Sequence, residues 1–297
     1  MEIRQLKIEE LPELQRFIHN HYQKDHILSR NKELMDFQHL GENGYNWVIC
    51  KDSGGIQAIC GFIPTSQFDS NIKRRDIWGA IWSSPTIRGM GMELVSYLED
   101  WYKPHTLGAV GLGARAEEFY RRKKGWYLSV LKHFVFVNPG KLASYPEGEM
   151  FAENVFVIHD CIPEKTETYV NNRYFKHPWY VYKSYTLGDF SIITRRIEVN
   201  GGACLRIVDC FTENNEAFER CSPFALHQLC LHERVDYVDM VTNRPRIPRG
   251  LVMRDMILPN YFEPFTHEDK PIRCAHNGGR LYDIHKADAD QDRPNML

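Results

Sequence analysis

A mixed α/β fold is what this sequence predicts, on three observations. Strand-like and helix-like apolar periods alternate along its first half. A glycine-rich turn at residues 52–55 joins two apolar runs as a hairpin. A strand, turn, strand, helix, strand series then recurs late in the chain without residue identity, as a structural repeat would. With 297 residues the chain is long enough for two domains. The expected organisation is a first lobe over residues 1–140, a connector over 141–172 containing Pro146, Gly148 and Pro163, and a second lobe over 173–297.

Residues 2–6 read as a short strand. Ile8, Leu11, Leu14, Phe17 or Ile18, and Tyr22 recur at helical spacing, with Pro12 near the first turn, where its missing N–H is tolerated. Residues 46–51 and 56–64 form the hairpin arms, because glycine supplies the positive φ of the turn between them. Residues 76–82 follow as a strand, then 92–102 as a helix with Met92, Val95, Leu98 and Tyr102 along one side. A strand at 107–114, a helix at 115–124 and a strand at 128–137 close the first lobe. The second half has strands at 189–199 and 203–211 about a turn at 200–202, a helix near 223–233 and a strand at 235–241. Residues 154–159 read as a strand inside the connector.

Composition narrows the partners. Thirty-seven Lys and Arg against 39 Asp and Glu leave a net charge of −2, so there is no basic excess to neutralise phosphates, and no nucleic acid partner is expected. No run of 18 apolar residues is present to span a bilayer, and the charged start MEIRQLKIEELPEL lacks a signal peptide's apolar stretch. A cytoplasmic protein is expected. The eight cysteines show no CxxC or Cys/His ligand spacing and read as buried free thiols, so no metal is expected.

The most informative stretch is Ser84-Pro-Thr-Ile-Arg-Gly-Met-Gly-Met-Glu-Leu94, which sets R-G-x-G between a strand end and an amphipathic helix. Two glycines leave backbone N–H groups unobstructed, and a helix N-terminus adds partial positive charge, so such a turn can hold a pyrophosphate. An ordinary strand-to-helix turn has the same appearance. Further on comes Ala114-Arg-Ala-Glu-Glu-Phe-Tyr-Arg-Arg-Lys-Lys-Gly-Trp126, a strand end leading into a short helix that stops at glycine. Together the two segments resemble the GNAT acetyltransferase superfamily. Arg88-Gly89-Met90-Gly91 is similar to its acyl-CoA pyrophosphate loop, and Phe119-Tyr120 with Gly125-Trp126 to its later A-x-x-x-Y-x-x-x-G-F segment. The resemblance covers about residues 1–137. It departs from the family pattern at Glu93, where a final Gly or Ala is usual, and in the gap from Tyr120 to Gly125, one residue longer than usual.

The resemblance implies a central mixed sheet flanked by helices, a second GNAT-like lobe, and acetyl-CoA or another acyl-CoA as cofactor. It implies that the strand ending at Trp82, Ser83 and Ser84 splays from its neighbour and pairs with the pantetheine arm. Arg88, Gly89, Met90 and Gly91 would then hold the pyrophosphate. Tyr120 matches the family's proton donor, a phenol suited to a departing thiolate, and reads equally as a core tyrosine. Asp76 is the first candidate base; a solvated charge after Lys73-Arg74-Arg75 is its other reading. Glu117 and Glu118 are further candidates, or a solvated helix face.

Residues 19–39 concentrate four histidines, and there His26, Asp36, Gln38 and His39 are expected to recognise a hydroxyl-rich or charged acceptor. Metal binding is the rival, but His21 and His26 lack i, i+4 spacing. The second lobe has the acidic Thr212-Glu-Asn-Asn-Glu-Ala-Phe218 in place of a glycine loop, so loss of the cofactor there is expected. Aromatic stretches at 174–182 and 259–265 could wall a sugar or nucleotide site, or simply pack the lobe. Residues 287–295 read as a polar C-terminal segment without the pattern of a calcium loop. The activity implied is N-acyl transfer by direct attack in a ternary complex, with no catalytic cysteine. The expected acceptor is the amine of a nucleotide-linked sugar in lipopolysaccharide or other surface-polysaccharide biosynthesis. Alternatives are an aminoacyl-tRNA-dependent transferase with tandem lobes and a non-catalytic binding protein.

Overall fold

A computed structural model describes residues 1–140, 145–199, 201–212, 216–253, 271–280 and 282–289. The first strands are β1 (Glu2–Gln5), β2 (Leu40–Gly41), β3 (Gly44–Tyr45), β4 (Trp47–Asp52), β5 (Gly55–Pro64), β6 (Asp76–Ser83), β7 (Thr106–Val110) and β8 (Tyr127–Val130). They are followed by β9 (Lys132–Val137), β10 (Ala152–Glu153), β11 (Tyr182–Leu187), β12 (Phe190–Val199), β13 (Gly202–Thr212), β14 (Tyr237–Thr242), β15 (Val252–Met253) and β16 (Arg273–His276). The helices are α1 (Leu11–Phe17), α2 (Ile27–Arg30), α3 (Lys32–His39), α4 (Met90–Tyr102), α5 (Ala114–Arg122), α6 (Glu167–Val170), α7 (Glu216–Arg220) and α8 (Pro223–Glu233). The mixed α/β class is as expected. No helix among the described residues is long and apolar enough to cross a membrane.

The chain divides into two compact units, one built from residues 1–128 and 273–280, the other within 129–272 and 281–288. In the first unit the sheet order is β1-β4-β5-β6-β7-β16-β8. All the pairings from β1 to β6 are antiparallel, β6 and β7 are parallel, and β16 returns antiparallel on β7. Side chains alternate across a strand, so β4 sends Trp47 and Ile49 to one face and Val48 and Cys50 to the other. The first pair meets Leu14, Phe17, Leu34 and Met35 of α1 and α3; the second meets Leu94, Val95 and Leu98 of α4. Each such fully buried aliphatic side chain contributes about 1.5–3 kcal/mol. The predicted hairpin is β4–β5, with Gly55 at φ +114° and the Asp52 carboxylate accepting from the Gly54 amide. Pro12 lies in the first turn of α1, as its geometry demands.

In the second unit the order is β10-β11-β12-β13-β14-β9-β15. The pairing senses run in the same sequence, three antiparallel, one parallel between β13 and β14, then antiparallel to β9. A helix followed by a five-residue π-helical turn precedes the hairpin in both units, α1 with Ile18–Tyr22 and α6 with Asn171–Phe175.

Four expectations need correction. The strand foreseen at 128–137 is two strands: β8 joins the first sheet, while β9 pairs with β14 and β15 in the second. The first sheet is completed by β16, from far along the chain, so the division along the chain falls between residues 128 and 129, and residues 273–280 depart from a simple 1–140 and 173–297 partition. Among the described connector residues the strand is Ala152–Glu153, with a single β-bridge at Ile162, and residues 154–159 are irregular. On α4, Met92 is 47% exposed; the buried face is Gly91, Leu94, Val95 and Leu98.

Candidate active site

The strand β6 leads into the glycine turn. It pairs with β7 from Asp76↔Thr106 only to Gly79↔Ala109, although β6 runs on to Ser83. On its other side it stays paired with β5 as far as Ile59↔Ser83, across an irregularity between Cys60 and Phe62. At the end of β7, Gly111 takes φ +78°, and the amides of Gly111 and Leu112 both donate to the Arg273 carbonyl on the β16 side. β7 ends at Val110, and the β7-side edge of β6 over residues 80–83 has no strand partner among the described residues. The splay expected at the strand ending in Trp82, Ser83 and Ser84 would fall at this edge.

Beyond it, the Ser84 hydroxyl donates to the Ile87 carbonyl at 2.8 Å and closes the bend. Gly89, at φ +86°, is the residue that admits the chain into α4, because side chains disfavour this left-handed conformation. Its carbonyl accepts from the amides of Met92 and Glu93. The amides of Arg88, Gly89 and Gly91 have no acceptor among the described residues, and the exposed Arg88 guanidinium has no ion pair among them. Unsatisfied donors at the start of a 13-residue helix, beside a free cation, suit a dianion.

Gly91 serves a second purpose that the motif did not reveal. A Cβ there would lie 2.5 Å from the Trp82 indole Nε1, so this glycine lets the indole lie against the first turn of α4. From there Trp82 meets Phe119 and Tyr120 edge-on, with ring centroids 5.5 and 6.2 Å away. The indole thus fills the inner side of the bend, while Pro85, Thr86 and Arg88 leave its outer side exposed.

Tyr120 lies in the last turn of α5, 3% exposed, and stacks on Trp126 at 4.2 Å. Burial first, then Cys60 and Glu99, push its phenol well above the usual tyrosine range, so it keeps its proton at neutral pH. Asp76 is different. Its carboxylate is fully buried, 2.8 Å from Arg74 and accepting from the Thr106 hydroxyl at 2.6 Å. It stands at the start of β6, about 23 Å of extended chain from Ser83. The structure gives it the work of tying β6 to β7, in place of either reading made from the sequence. Glu117 pairs with Arg121 and Arg273, and Glu118 with Arg122.

The four acceptor-recognition candidates are likewise redirected. His26 is buried and caps α2, its Nδ1 accepting from the Leu28 amide. Asp36 accepts from the Tyr45 hydroxyl at 2.6 Å and pairs with Lys32. His39 is buried against Trp47 and bonded to the Phe62 carbonyl. Gln38 is fully buried, its amide without a partner among the described residues. His26, Gln38 and His39 belong to the packing around α2, α3 and β5, whereas Asp36 keeps a partly exposed carboxylate.

All eight thiols are free, and burial pushes Cys60, Cys210, Cys221 and Cys230 up to about 12, which disarms them as nucleophiles. In the second unit Tyr174 and Tyr182 are buried edge-to-face at 5.2 Å, the packing alternative for that stretch. Residues 259–265 lie outside the described residues. One cluster escaped the sequence reading for want of a spacing signal. Ligand atoms of Glu153, His232 and Glu233 lie within 4.8 Å of one another, but Lys183 Nζ stands 3.3 Å from Glu153 and 2.7 Å from Glu233 and already supplies a positive charge.

The fold is that of the GCN5-related N-acetyltransferases. A GCN5-related N-acetyltransferase from Anabaena variabilis superposes with a TM-score of 0.55 at 13% identity, over 93% of this chain and 72% of that one. A probable N-acyltransferase from Enterococcus faecalis gives 0.52 at 12%, over 92% and 72%. A putative acetyltransferase from Pyrococcus horikoshii gives 0.51 at 8%, over 94% and 90%. At such identities the likeness is one of fold. No family model matches the sequence, and no curated protein matches it.

Proposed function

We propose that the chain is an acyl-CoA-dependent N-acyltransferase whose site is the splay between β6 and β7. The observation that carries this reading is that the parallel pairing ends at Gly79↔Ala109, directly before a turn with unengaged amides. The amides of Arg88, Gly89 and Gly91, with the Arg88 guanidinium, would hold the diphosphate. The backbone edge over residues 80–83 offers alternating donors and acceptors to an amide-bearing arm. Bound acyl-CoA supplies an activated thioester carbonyl. Tyr120, proton-loaded and enclosed by Trp82, Phe119 and Trp126, holds the proton for the departing sulfur. The second unit is a GNAT-like lobe that has lost the glycine loop.

For the acceptor we propose the amine of a nucleotide-linked sugar in bacterial surface-polysaccharide assembly. General likeness to two-lobed proteins of such pathways is its sole support. Release of free thiol from acetyl-CoA upon addition of amino-sugar nucleotides is the expected result; release with peptide amines alone would replace this acceptor class.

Calorimetric titration with acetyl-CoA tests the site. Replacing Gly89 and Gly91 together by valine is expected to raise the apparent Kd at least about tenfold, since branched side chains would crowd the donors. Because valine at 91 also collides with Trp82, Gly89→Ala alone serves as the milder variant, expected to weaken binding while α4 stays folded. Unchanged binding in both would remove the loop from the site.

A further inference from the structure

In the second unit, β13 and β14 repeat the parting of β6 and β7. They pair in parallel from Cys204↔Tyr237 to Ile207↔Met240 and then stop, although β13 runs on to Thr212 and β14 to Thr242. An irregularity in the β12–β13 pairing falls at the same point, between Ile193 and Thr194. Here the edge of β14 is not left bare. Thr242 bridges antiparallel to His285, the Asn243 amide donates to the Ile284 carbonyl at 3.1 Å, and the Lys286 amide donates to the Val241 carbonyl at 3.0 Å. β9 covers the other edge of β14 as far as Thr242↔Lys132. The new bonds therefore lie on the edge that β13 occupies up to Met240.

Side chains fix the segment there. Lys165 Nζ, deeply buried, stands 2.7 Å from Asp209 on β13 and 3.0 Å from Asp288 on the segment. Burial opposes the charge on this ammonium, but the two carboxylates outweigh burial and keep it charged. The Tyr174 hydroxyl donates to Asp209 at 2.7 Å, Arg173 donates to the Ala287 carbonyl, and Arg244 pairs with Asp283 at 3.2 Å. Ile284 through Asp288 are all buried, although residues 287–295 read from the sequence as a polar tail.

We propose that residues 282–288 are the internal occupant of the second unit's inter-strand slot, latched by Lys165 bridging Asp209 and Asp288. A peptide segment presents the same alternating N–H and C=O groups that the first slot offers an amide-bearing arm. On the reading of the first slot given above, the chain then binds one acyl-CoA and not two.

Hydrogen exchange on the full chain tests the latch without any ligand. In Lys165→Met, amides 283–288 are expected to exchange at least about tenfold faster, while residues 204–207 and 237–240 keep their protection. Asp288→Asn, which leaves the Lys165–Asp209 pair in place, is expected to act the same way and covers the case that Lys165→Met fails to fold. Unchanged exchange at 283–288 in Asp288→Asn, or a uniform rise across the second unit, would overturn the latch. Acetyl-CoA titration of the unaltered chain is expected to give one equivalent. Two equivalents would overturn the occupied slot, whereas absence of binding would overturn the transferase reading and leave the exchange result to decide the latch.

Discussion

Tyr120→Phe is expected to lower kcat about a hundredfold while leaving acetyl-CoA affinity within about twofold, if the phenol supplies the proton to the sulfur. The substitution removes one hydroxyl and keeps the stack on Trp126, so the fold should survive it. Because burial raises the phenol pKa, the acid form persists through the whole usable alkaline range, and the rate profile should show no falling limb from this group. Steady-state kinetics of the variant, with its melting temperature as control, decide the matter. An unaltered kcat would make Tyr120 a packing residue between Trp82 and Trp126.

The largest stability effect is expected at Asp239. This carboxylate is fully buried; burial pushes its pKa up, but the forked guanidinium of Arg206 at 2.6 and 2.9 Å and His133 at 2.8 Å outweigh that and hold it well below the usual carboxylate range. Asp239→Ala leaves Arg206 as an uncompensated buried charge and should cost the second unit about 3–5 kcal/mol. The double variant Arg206→Met, Asp239→Leu should recover most of it, because an apolar pair of similar volume needs no charge partner. The pH dependence follows from the sign of the shift. A lowered folded-state pKa contributes stability above the unfolded value of about 3.9 and loses it as pH falls through the folded value, so the contribution fades only in strong acid. Denaturant titration should show this; a loss below about 1 kcal/mol would class the pair with exposed ones.

Both predictions concern groups whose setting is differently visible in sequence. Tyr120 stands out because Phe119-Tyr120 with Gly125-Trp126 resembles a family segment that is contiguous in the chain. Arg206 and Asp239 carry no pattern, since their meeting depends on the parallel register of β13 and β14. Asp76 stands out in sequence as a charge at a strand start, but its partner Thr106 comes from the next parallel strand, which no local pattern shows. His26, Gln38 and His39 stand out as a polar run, yet the turn of α2 and α3 carries them inside.

The sequence alone determined the mixed α/β class, the β4–β5 hairpin, the turn into α4 and the recurrence of the strand and helix series, because apolar period and glycine placement act within a few residues. Tertiary structure alone decided that β9 leaves for the second sheet, that β16 completes the first, and that Lys165 joins Asp209 to Asp288. Those outcomes depend on which strand edges and buried charges remain unsatisfied once distant segments meet, and no local pattern encodes that.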